Sequence, residues 1–377
     1  MDSNRMIRLT QQLVSINSES PPGREEDVAK YLKEFMETQG ISCRSVGASS
    51  RPNLLFSTHD GETGDLVLHG HMDTVPAGNI DQWSQDPFSG AIESGRLYGR
   101  GACDMKGPLA TLAETMICYK EEKHNTPLLM LATSDEESGC SGAEEIANSG
   151  ILKGVRYGVC AEPTSLDILV GEKGMLWTKI LARGKSAHGS RPEEGLNAIE
   201  LCMRATSLLI EQDYPFEPDN VMGEMTVNLG IMKGGVKINV VPSDCESHLD
   251  MRLVKGQTIE GIMGFMQQVL DDAKLSDRIE IEYIHGKPAV ITPHDSLIVE
   301  RVVSAVESVI GFKGNMKAAT YGTDCSVLQP KIGITNVICG PGSIEQAHQP
   351  DEFIEIEQMK QAVEVYLDVA RQFDSHE

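Results

Sequence analysis

Several short motifs that mark common enzyme classes are missing from this sequence of 377 residues. No G-x-S-x-G occurs, which argues against a serine hydrolase with its nucleophile on that turn. Cys103 and Cys140 have no recognisable histidine partner, which argues against a cysteine hydrolase. The GKS at 184–186 is not a phosphate-binding loop, because Lys179 stands where that motif needs glycine. GRGACD lacks the third glycine of the dinucleotide fingerprint, since position 104 is aspartate.

Long apolar runs and an excess of positive charge are missing as well. No run approaches the roughly 18 apolar residues of a membrane span. The 33 Lys and Arg residues face 56 Asp and Glu residues, a net charge of -23, which disfavours nucleic acid or an anionic membrane as a partner. Residues 1–20 show no signal peptide, and nine scattered cysteines without a C-x-x-C fit a reducing compartment. A cytoplasmic protein is therefore expected.

A short apolar strand that ends in polar residues is the main feature of the first 80 residues. In DLVLHGHMDTVP, 65–76, the strand runs directly into His71 and Asp73. Ligands bind at the carboxyl ends of strands in open α/β sheets. The H-x-D pair therefore suggests a metal-binding imidazole oriented by a nearby carboxylate, although such pairs also occur in ordinary loops.

Two later segments show a similar pattern. GRGACDMKG, 99–107, surrounds Asp104 with glycines before a helix predicted to start near Pro108, so Asp104 is either a cation ligand or the cap of that helix. Three acidic residues, 135–137, follow an apolar strand, and a solvated turn is the alternative to a metal site there. In an extended segment the side chains of Glu136 and Glu137 would point in opposite directions. One could then bind metal while the other contacts the substrate.

A fourth strand that leads to an acidic residue is followed by a change in the order of strands and helices. The predicted strand 157–160 leads to Glu162, so four segments deliver histidine or carboxylate side chains. From Met175 onward, strands and two helices replace the alternating arrangement, which is typical of a small α+β unit inserted into another domain. The predicted fold class is α/β, with residues 1–175 and 291–377 in one domain and 176–290 in the other.

Six segments together resemble one known family. They are HGHMDTVP, GRGACDMKG, TSDEESG, AEPTS, SAHGS and CGPGSIEQAHQPDEF. In this order they are similar to the M20-type di-zinc aminoacylases and carboxypeptidases, the family that includes acetylornithine deacetylase and succinyl-diaminopimelate desuccinylase. The resemblance implies a zinc-peptidase-like catalytic domain, an inserted ferredoxin-like dimerisation or lid domain, and a homodimer.

The resemblance also implies two zinc ions held by five side chains. His71, Asp104 and Glu162 are assigned to one zinc, and Asp104, Glu137 and His348 to the other. Asp104 bridges the two. Histidine nitrogen and carboxylate oxygen are ligands that zinc accepts, and cobalt or manganese are possible substitutes.

Three further residues are implied to take part in catalysis. Glu136 matches the general base, which removes a proton from the bridging water and returns one to the leaving amine. Asp73 matches the carboxylate behind His71. His188 matches a lid histidine that reaches the partner subunit's site and stabilises the oxyanion, although by sequence alone it reads as a surface residue.

The substrate implied by the resemblance is an N-acylated amino acid. Asn239 and Arg252 match positions that bind the substrate carboxylate, and Gly322 and Thr323 are assigned to substrate binding. Desuccinylases of the family tend to carry arginines before the glycine matching Gly174, where this sequence has GEKG. The GPGSI-x-QAHQPDE and EEGLNAIEL segments look more like acetylornithine deacetylase.

The expected activity is therefore hydrolysis of an N-acyl amide, with N-acetylornithine as the first choice of substrate. Succinyl-diaminopimelate desuccinylase and a broad-specificity carboxypeptidase or aminoacylase are the alternatives. A non-catalytic binding protein on the same scaffold would be expected to lose metal ligands, and none of the five ligand positions is missing.

Overall fold

The chain divides into two compact units. The structure is a computed structural model that describes residues 1–61, 64–217, 219–311 and 316–374. One unit comprises Met1–Gly171, Thr292–Lys317 and Thr323–Glu377, and the other comprises Glu172–Ile291 and Ala318–Gly322.

In the first 172 residues, helices alternate with short strands. The helices are α1 (Ser3–Ser15), α2 (Glu25–Thr38), α3 (Lys106–Glu122) and α4 (Ser141–Ser149). The strands are β1 (Ser42–Val46), β2 (Asn53–Ser57), β3 (Leu66–His71), β4 (Ile92–Glu93), β5 (Arg96–Tyr98), β6 (Leu129–Thr133), β7 (Tyr157–Cys160) and β8 (Leu169–Glu172). Ile80–Gln82 forms a single 3₁₀ turn.

The remaining elements belong to the inserted segment and then to the return of the chain. The inserted elements are β9 (Gly174–Arg183), β10 (Ala187–His188), α5 (Ala198–Ile210), β11 (Thr226–Gly234), β12 (Val240–Val241), β13 (Asp244–Leu253), α6 (Ile259–Asp272), β14 (Ile279–Lys287) and β15 (Val290–Ile291). The later elements are α7 (Leu297–Ile310), β16 (Lys317–Ala319), α8 (Cys325–Ile332), β17 (Thr335–Ile338), β18 (Phe353–Glu355) and α9 (Ile356–Asp374).

The main sheet of the first unit brings several strand ends to one edge. Its strands follow the order β1-β2-β6-β3-β7-β17-β8. Strand β3 runs parallel to both β6 and β7, and β7 runs parallel to β17. The residues that follow β3, β6 and β7 therefore emerge at the same edge, where open α/β sheets bind their ligands.

Apolar strands and helices form the core of the first unit. Strands β2, β3 and β6 are buried at every position, as expected for strands covered on both faces. Helix α3 is buried from Lys106 to Tyr119 and packs against α1 and α9 as well as β3 and β6. The predicted α/β fold class is confirmed. Among the described residues, no helix combines the length and the apolar character that crossing a membrane requires.

The second unit is a four-stranded antiparallel sheet with two helices. The strand order is β11-β13-β9-β14. Residues on β9 and β13 alternate between buried and more exposed positions, and the buried ones pack with α5 and α6 in one apolar cluster. Strand β11 lies at the edge of this sheet and is exposed along nearly its whole length.

Candidate metal centre

All five predicted metal ligands lie close together in the first unit. His71 Nε2 lies 3.0 Å from Asp104 Oδ1 and 3.5 Å from Glu162 Oε1. His348 Nε2 lies 3.4 Å from Asp104 Oδ2 and 3.0 Å from Glu137 Oε2. The two oxygens of Asp104 thus face two different imidazoles, and each imidazole has a further carboxylate of its own. This is the arrangement that a shared ligand between two cations requires.

The oxygens of Asp104 are directed at the histidines and not at the following helix. Helix α3 begins at Lys106, two residues before the predicted start at Pro108. Its N-cap residue is Met105, and no side chain caps the helix. The interpretation of Asp104 as a helix cap is therefore wrong.

Glu352 holds the backbone around Asp104 in place. Its Oε1 accepts hydrogen bonds from the backbone N–H groups of Cys103 and Asp104, at 2.8 and 3.0 Å. Its Oε2 accepts from the Gly101 N–H at 3.1 Å and from Arg100 Nη1 at 2.5 Å. Glu352 is fully buried. Sequence analysis missed this residue, because an acidic residue in QPDEF looks like part of a solvated turn.

The segment after β6 is a turn, which separates its three carboxylates. Asp135 has a φ of 64°, and residues 136–139 form a turn. The prediction that Glu136 and Glu137 alternate as in a strand is therefore wrong. Asp135 forms an ion pair with Arg51 at 2.6 Å and accepts from the Ser141 hydroxyl at the start of α4. Only the other two acidic residues remain for the metal centre.

Asp73 fixes this turn through its carboxylate. Its Oδ1 and Oδ2 accept hydrogen bonds from the backbone N–H groups of Glu136 and Glu137, at 3.1 and 3.2 Å. His71 Nδ1 lies 2.9 Å from the backbone carbonyl oxygen of Asp73 but 3.6 Å from its carboxylate. Donation from Nδ1 to this carbonyl leaves Nε2 facing Asp104 and Glu162, the tautomer that a metal ligand needs.

The buried charges of this centre strongly affect one another. Burial and the negative charge of Asp104 raise the pKa of Glu162 well above its usual range and also raise the pKa of Glu137. Hydrogen bonds with Asp104 and Glu137 raise the pKa of His348 to about 10. Burial opposes ionisation of Asp104, but hydrogen bonds from His348 and His71 outweigh it and lower the pKa of that carboxyl. Gathering carboxylates in this way is unfavourable unless cations neutralise them.

The donor set fits a borderline or hard divalent cation. One ligand atom from each of His71, Asp104 and Glu137 lies within 4.8 Å of the others, and the same holds for His71, Glu136 and Glu162. All of these donors are nitrogen or oxygen atoms, which zinc, cobalt and manganese accept. Glu136 therefore lies in one group with Glu162, and Glu137 lies in the other with Asp104.

Comparison with known families agrees with this centre. Residues 67–372 match the family described as Peptidase family M20/M25/M40, and this span contains every ligand named above. The chain belongs to this peptidase family. As an M20 protein it is a metal-dependent hydrolase that acts on amide bonds.

Relatives of the M20 chain cover most of its length. The acetylornithine deacetylase of Proteus mirabilis (strain HI4320) is 32% identical over 366 residues, which are 93% of this chain and 92% of that protein. The acetylornithine deacetylase of Edwardsiella ictaluri (strain 93-146) is 37% identical over 311 residues, 80% of this chain and 78% of that protein. Among solved structures, the M20 family metallo-carboxypeptidase Sso-CP2 from Sulfolobus solfataricus has a TM-score of 0.83 at 20% identity, covering 99% of this chain and 100% of that chain. This last likeness supports the M20 fold.

Most of the other predicted site residues of the M20 protein belong to the second unit. His188 is exposed on β10, where its Nδ1 lies 2.7 Å from the Ser190 hydroxyl. Arg252 is half-buried and forms an ion pair with Asp250 at 3.1 Å. Asn239 is exposed just before β12. Their roles remain predictions.

The two residues predicted to bind substrate near α8 lie in different surroundings. Gly322 is half-buried and is the last residue of the second unit. Thr323 is fully buried in the first unit, and its hydroxyl accepts the backbone N–H of Cys325 at 3.0 Å. This bond occupies the Thr323 hydroxyl at the start of α8.

Proposed function

We propose that this M20 protein hydrolyses the amide bond of N-acylated amino acids, with N-acetylornithine as its main substrate. The observation that carries the proposal is the position of Asp104, whose two oxygens face His71 and His348 at 3.0 and 3.4 Å. The choice of substrate rests on the names of the relatives that are 32% and 37% identical. The GEKG segment, which has Glu172 and no arginine where desuccinylases carry arginines, agrees with that choice.

We assign the residues of the centre to two zinc ions. His71, Asp104 and Glu162 would hold one zinc, while Asp104, Glu137 and His348 would hold the other. When bound, such a pair of cations activates a water molecule and polarises the amide carbonyl. The protein supplies buried carboxylates at fixed positions, and Glu352 and Asp73 hold the backbone segments that carry them.

Glu136 is the proposed general base. It removes a proton from the attacking water and gives a proton to the leaving amine. Its position depends on Asp73, because the Glu136 backbone N–H donates to Asp73 Oδ1. His188 is the proposed donor to the oxyanion, which adds stabilisation only in the transition state.

Steady-state kinetics on a panel of N-acyl amino acids tests the substrate. The zinc-loaded protein should give its highest kcat/KM with N-acetylornithine. We expect other N-acetyl amino acids and N-succinyl-diaminopimelate to fall below it by at least about tenfold, which is the discrimination that one lost contact supplies. A higher kcat/KM for the succinyl substrate would identify a desuccinylase instead. Failure to cleave any member of the panel would contradict the hydrolase proposal.

We further propose that the protein acts as a homodimer through the second unit. Strand β11 lies at the edge of the four-stranded sheet and exposes Leu229, Ile231 and Met232 to 38%, 42% and 37%. An exposed apolar edge strand is a surface on which a second copy can add its own edge. A two-fold dimer would place the same strand on both sides of the interface.

The proposed location is a reducing compartment, namely the cytoplasm. All nine cysteines are thiols, and eight of them are buried. Thiols persist where the cell keeps its proteins reduced, whereas disulfides form in oxidising compartments.

The oxyanion role of His188 gives a prediction about subunits. His188→Ala should lower kcat by about 10² to 10³, the cost of losing one oxyanion donor. Metal content should not change, since His188 lies outside the ligand set. His248→Ala is the matched control, because His248 is also in the second unit, where it pairs with Glu246 at 3.3 Å. This control should retain normal kcat.

Mixing inactive subunits determines which site His188 serves. If His188 reaches the partner's centre, a dimer of one His188→Ala subunit and one Glu136→Gln subunit contains one site with both defects and one with neither. Activity should then return on subunit exchange. No recovery, with exchange proven by mass spectrometry, would place His188 in its own subunit's site or outside catalysis.

A further inference from the structure

A second group of metal-ligating side chains lies within the main sheet of the first unit. His69 on β3 and Cys160 on β7 are paired in the register of two parallel strands, so their side chains lie on the same face. Cys325 begins α8, and its Sγ lies 3.9 Å from His69 Nε2. One ligand atom from each of the three residues lies within 4.8 Å of the others. All three are buried.

The imidazole of His69 has one nitrogen without a partner. Its Nε2 lies 3.1 Å from Asn336 Oδ1, while Asn336 Nδ2 donates to the Ile334 carbonyl at 3.4 Å. The Asn336 oxygen is therefore an acceptor, and Nε2 carries the hydrogen. Nδ1 then keeps a lone pair, and this fully buried atom has no hydrogen-bond partner in the described part of the chain.

One oxygen of the Asp324 carboxylate, near the cluster, is also buried without a hydrogen-bond partner in the described part of the chain. Asp324 precedes Cys325, and its Oδ2 accepts a hydrogen bond from the Thr133 hydroxyl at 2.5 Å. Its Oδ1 is buried and has no partner among the residues that the structure describes. Burying polar atoms without partners is unfavourable. A cation bound by the cluster would satisfy the imidazole lone pair, and its charge would favour the carboxylate of Asp324, which interacts electrostatically with His69.

We propose that His69, Cys160 and Cys325 bind a thiophilic divalent cation of the zinc type. Two thiolate sulfurs and one imidazole nitrogen are donor types that structural zinc sites use. On binding, the two thiols each lose a proton to solvent and form sulfur–metal bonds. The donor set differs from that of the catalytic centre, which contains no sulfur.

Such a cation would stabilise the strands that carry the catalytic ligands. His69 lies two residues before His71 on β3, and Cys160 lies two residues before Glu162 after β7. Binding would therefore link β3, β7 and α8 just before the strand ends. The site would be structural, since its residues are buried in the sheet and lie outside the group around Asp104.

Cobalt spectroscopy of the full-length protein separates the two sites. The purified protein is stripped of metal under reducing conditions and titrated with Co²⁺ alone. Thiolate ligands give an intense sulfur-to-cobalt charge-transfer absorption in the near ultraviolet, which nitrogen and oxygen ligands do not give. We expect this absorption to appear during the titration of the unaltered protein. Its absence from a folded, cobalt-loaded protein would overturn the proposal.

Paired cysteine variants assign the absorption to this cluster. The Cys160→Ser, Cys325→Ser double variant should lose the absorption and bind one fewer cobalt ion per chain. The control is the Cys202→Ser, Cys245→Ser double variant, because those two buried thiols contact each other in the second unit without belonging to any metal-ligating group of the described residues. The control should keep the absorption.

Two outcomes of the variant experiment would contradict the assignment. Charge-transfer absorption that survives in the Cys160, Cys325 double variant would place the thiolate ligand elsewhere. Equal cobalt content in this variant and the unaltered protein would show that the cluster is an ordinary thiol and imidazole contact in the core. If the double variant does not fold, the spectrum of the unaltered protein together with a His69→Gln variant decides the question. Neither readout depends on hydrolytic activity, so failure here leaves the proposed function untouched.

Discussion

Replacing Glu136 by glutamine should nearly abolish turnover and leave the metal centre loaded. Loss of a general base lowers kcat by about 10² to 10⁴. The glutamine keeps the shape of the side chain, and the backbone N–H of residue 136 can still donate to Asp73. Metal content measured by plasma mass spectrometry should equal that of the unaltered protein, while kcat on N-acetylornithine falls.

Replacing the adjacent Glu137 should have the opposite pattern. Glu137 lies 3.0 Å from His348, so Glu137→Gln should release metal from that part of the centre, and activity should fall because metal is lost. Excess zinc should restore part of the activity of this variant but none of the activity of Glu136→Gln. Glu144→Gln, at a partly buried position on α4 where Glu144 pairs with Lys331, is the control and should behave normally. Reversed phenotypes would mean that the roles of Glu136 and Glu137 are exchanged.

Asp104→Asn should remove metal from both halves of the centre. Asp104 contacts His71 through Oδ1 and His348 through Oδ2, and an amide offers only one oxygen and less charge. Removing a residue that only hydrogen-bonds to a metal ligand lowers metal affinity by about 10- to 100-fold. Removing a ligand that two metal ions share should therefore lower metal affinity by more than this. Metal content and activity should both collapse.

The control for this substitution is Asp81→Asn, an exposed aspartate of the same unit. It should retain metal and activity. If Asp104→Asn lost one equivalent of metal and kept the other at unchanged affinity, the shared role of Asp104 would be wrong. Circular dichroism distinguishes metal loss from unfolding, because the Glu352 hydrogen bonds go to backbone N–H groups that the substitution keeps.

Much of the fold could be predicted because its signals are local. The apolar residues of β3, β6 and β7 are followed directly in the sequence by polar residues, so each strand and its site residues can be recognised within one short segment. The family resemblance and the α/β fold class are confirmed. The same local pattern named His71, Asp104, Glu162 and the pair 136–137, whereas His348 and the choice of Glu137 as the ligand came from the family resemblance.

Contacts between distant parts of the chain could not be predicted in this way. Glu352 binds the backbone at Asp104 across 248 positions, and nothing in QPDEF distinguishes a buried carboxylate from a solvated one. The turn at 136–139 was predicted only as an alternative to a metal site, and its hydrogen bond to Asp73, a residue 63 positions before Glu136, could not be predicted. Sequence analysis gave His69 no role, and only the register of β3 with β7 places it beside Cys160.

The long separation between Asp104 and its supporting residues has a consequence for protein synthesis. At about 5 to 20 residues per second, Glu352 leaves the ribosome roughly ten to fifty seconds after Asp104. Until then the nascent chain has His71, Asp104, Glu137 and Glu162 but neither the hydrogen bonds of Glu352 nor the imidazole of His348. Metal loading is therefore completed only after translation of the last tenth of the chain. A polypeptide that terminates early, even just after the second unit, cannot assemble the centre.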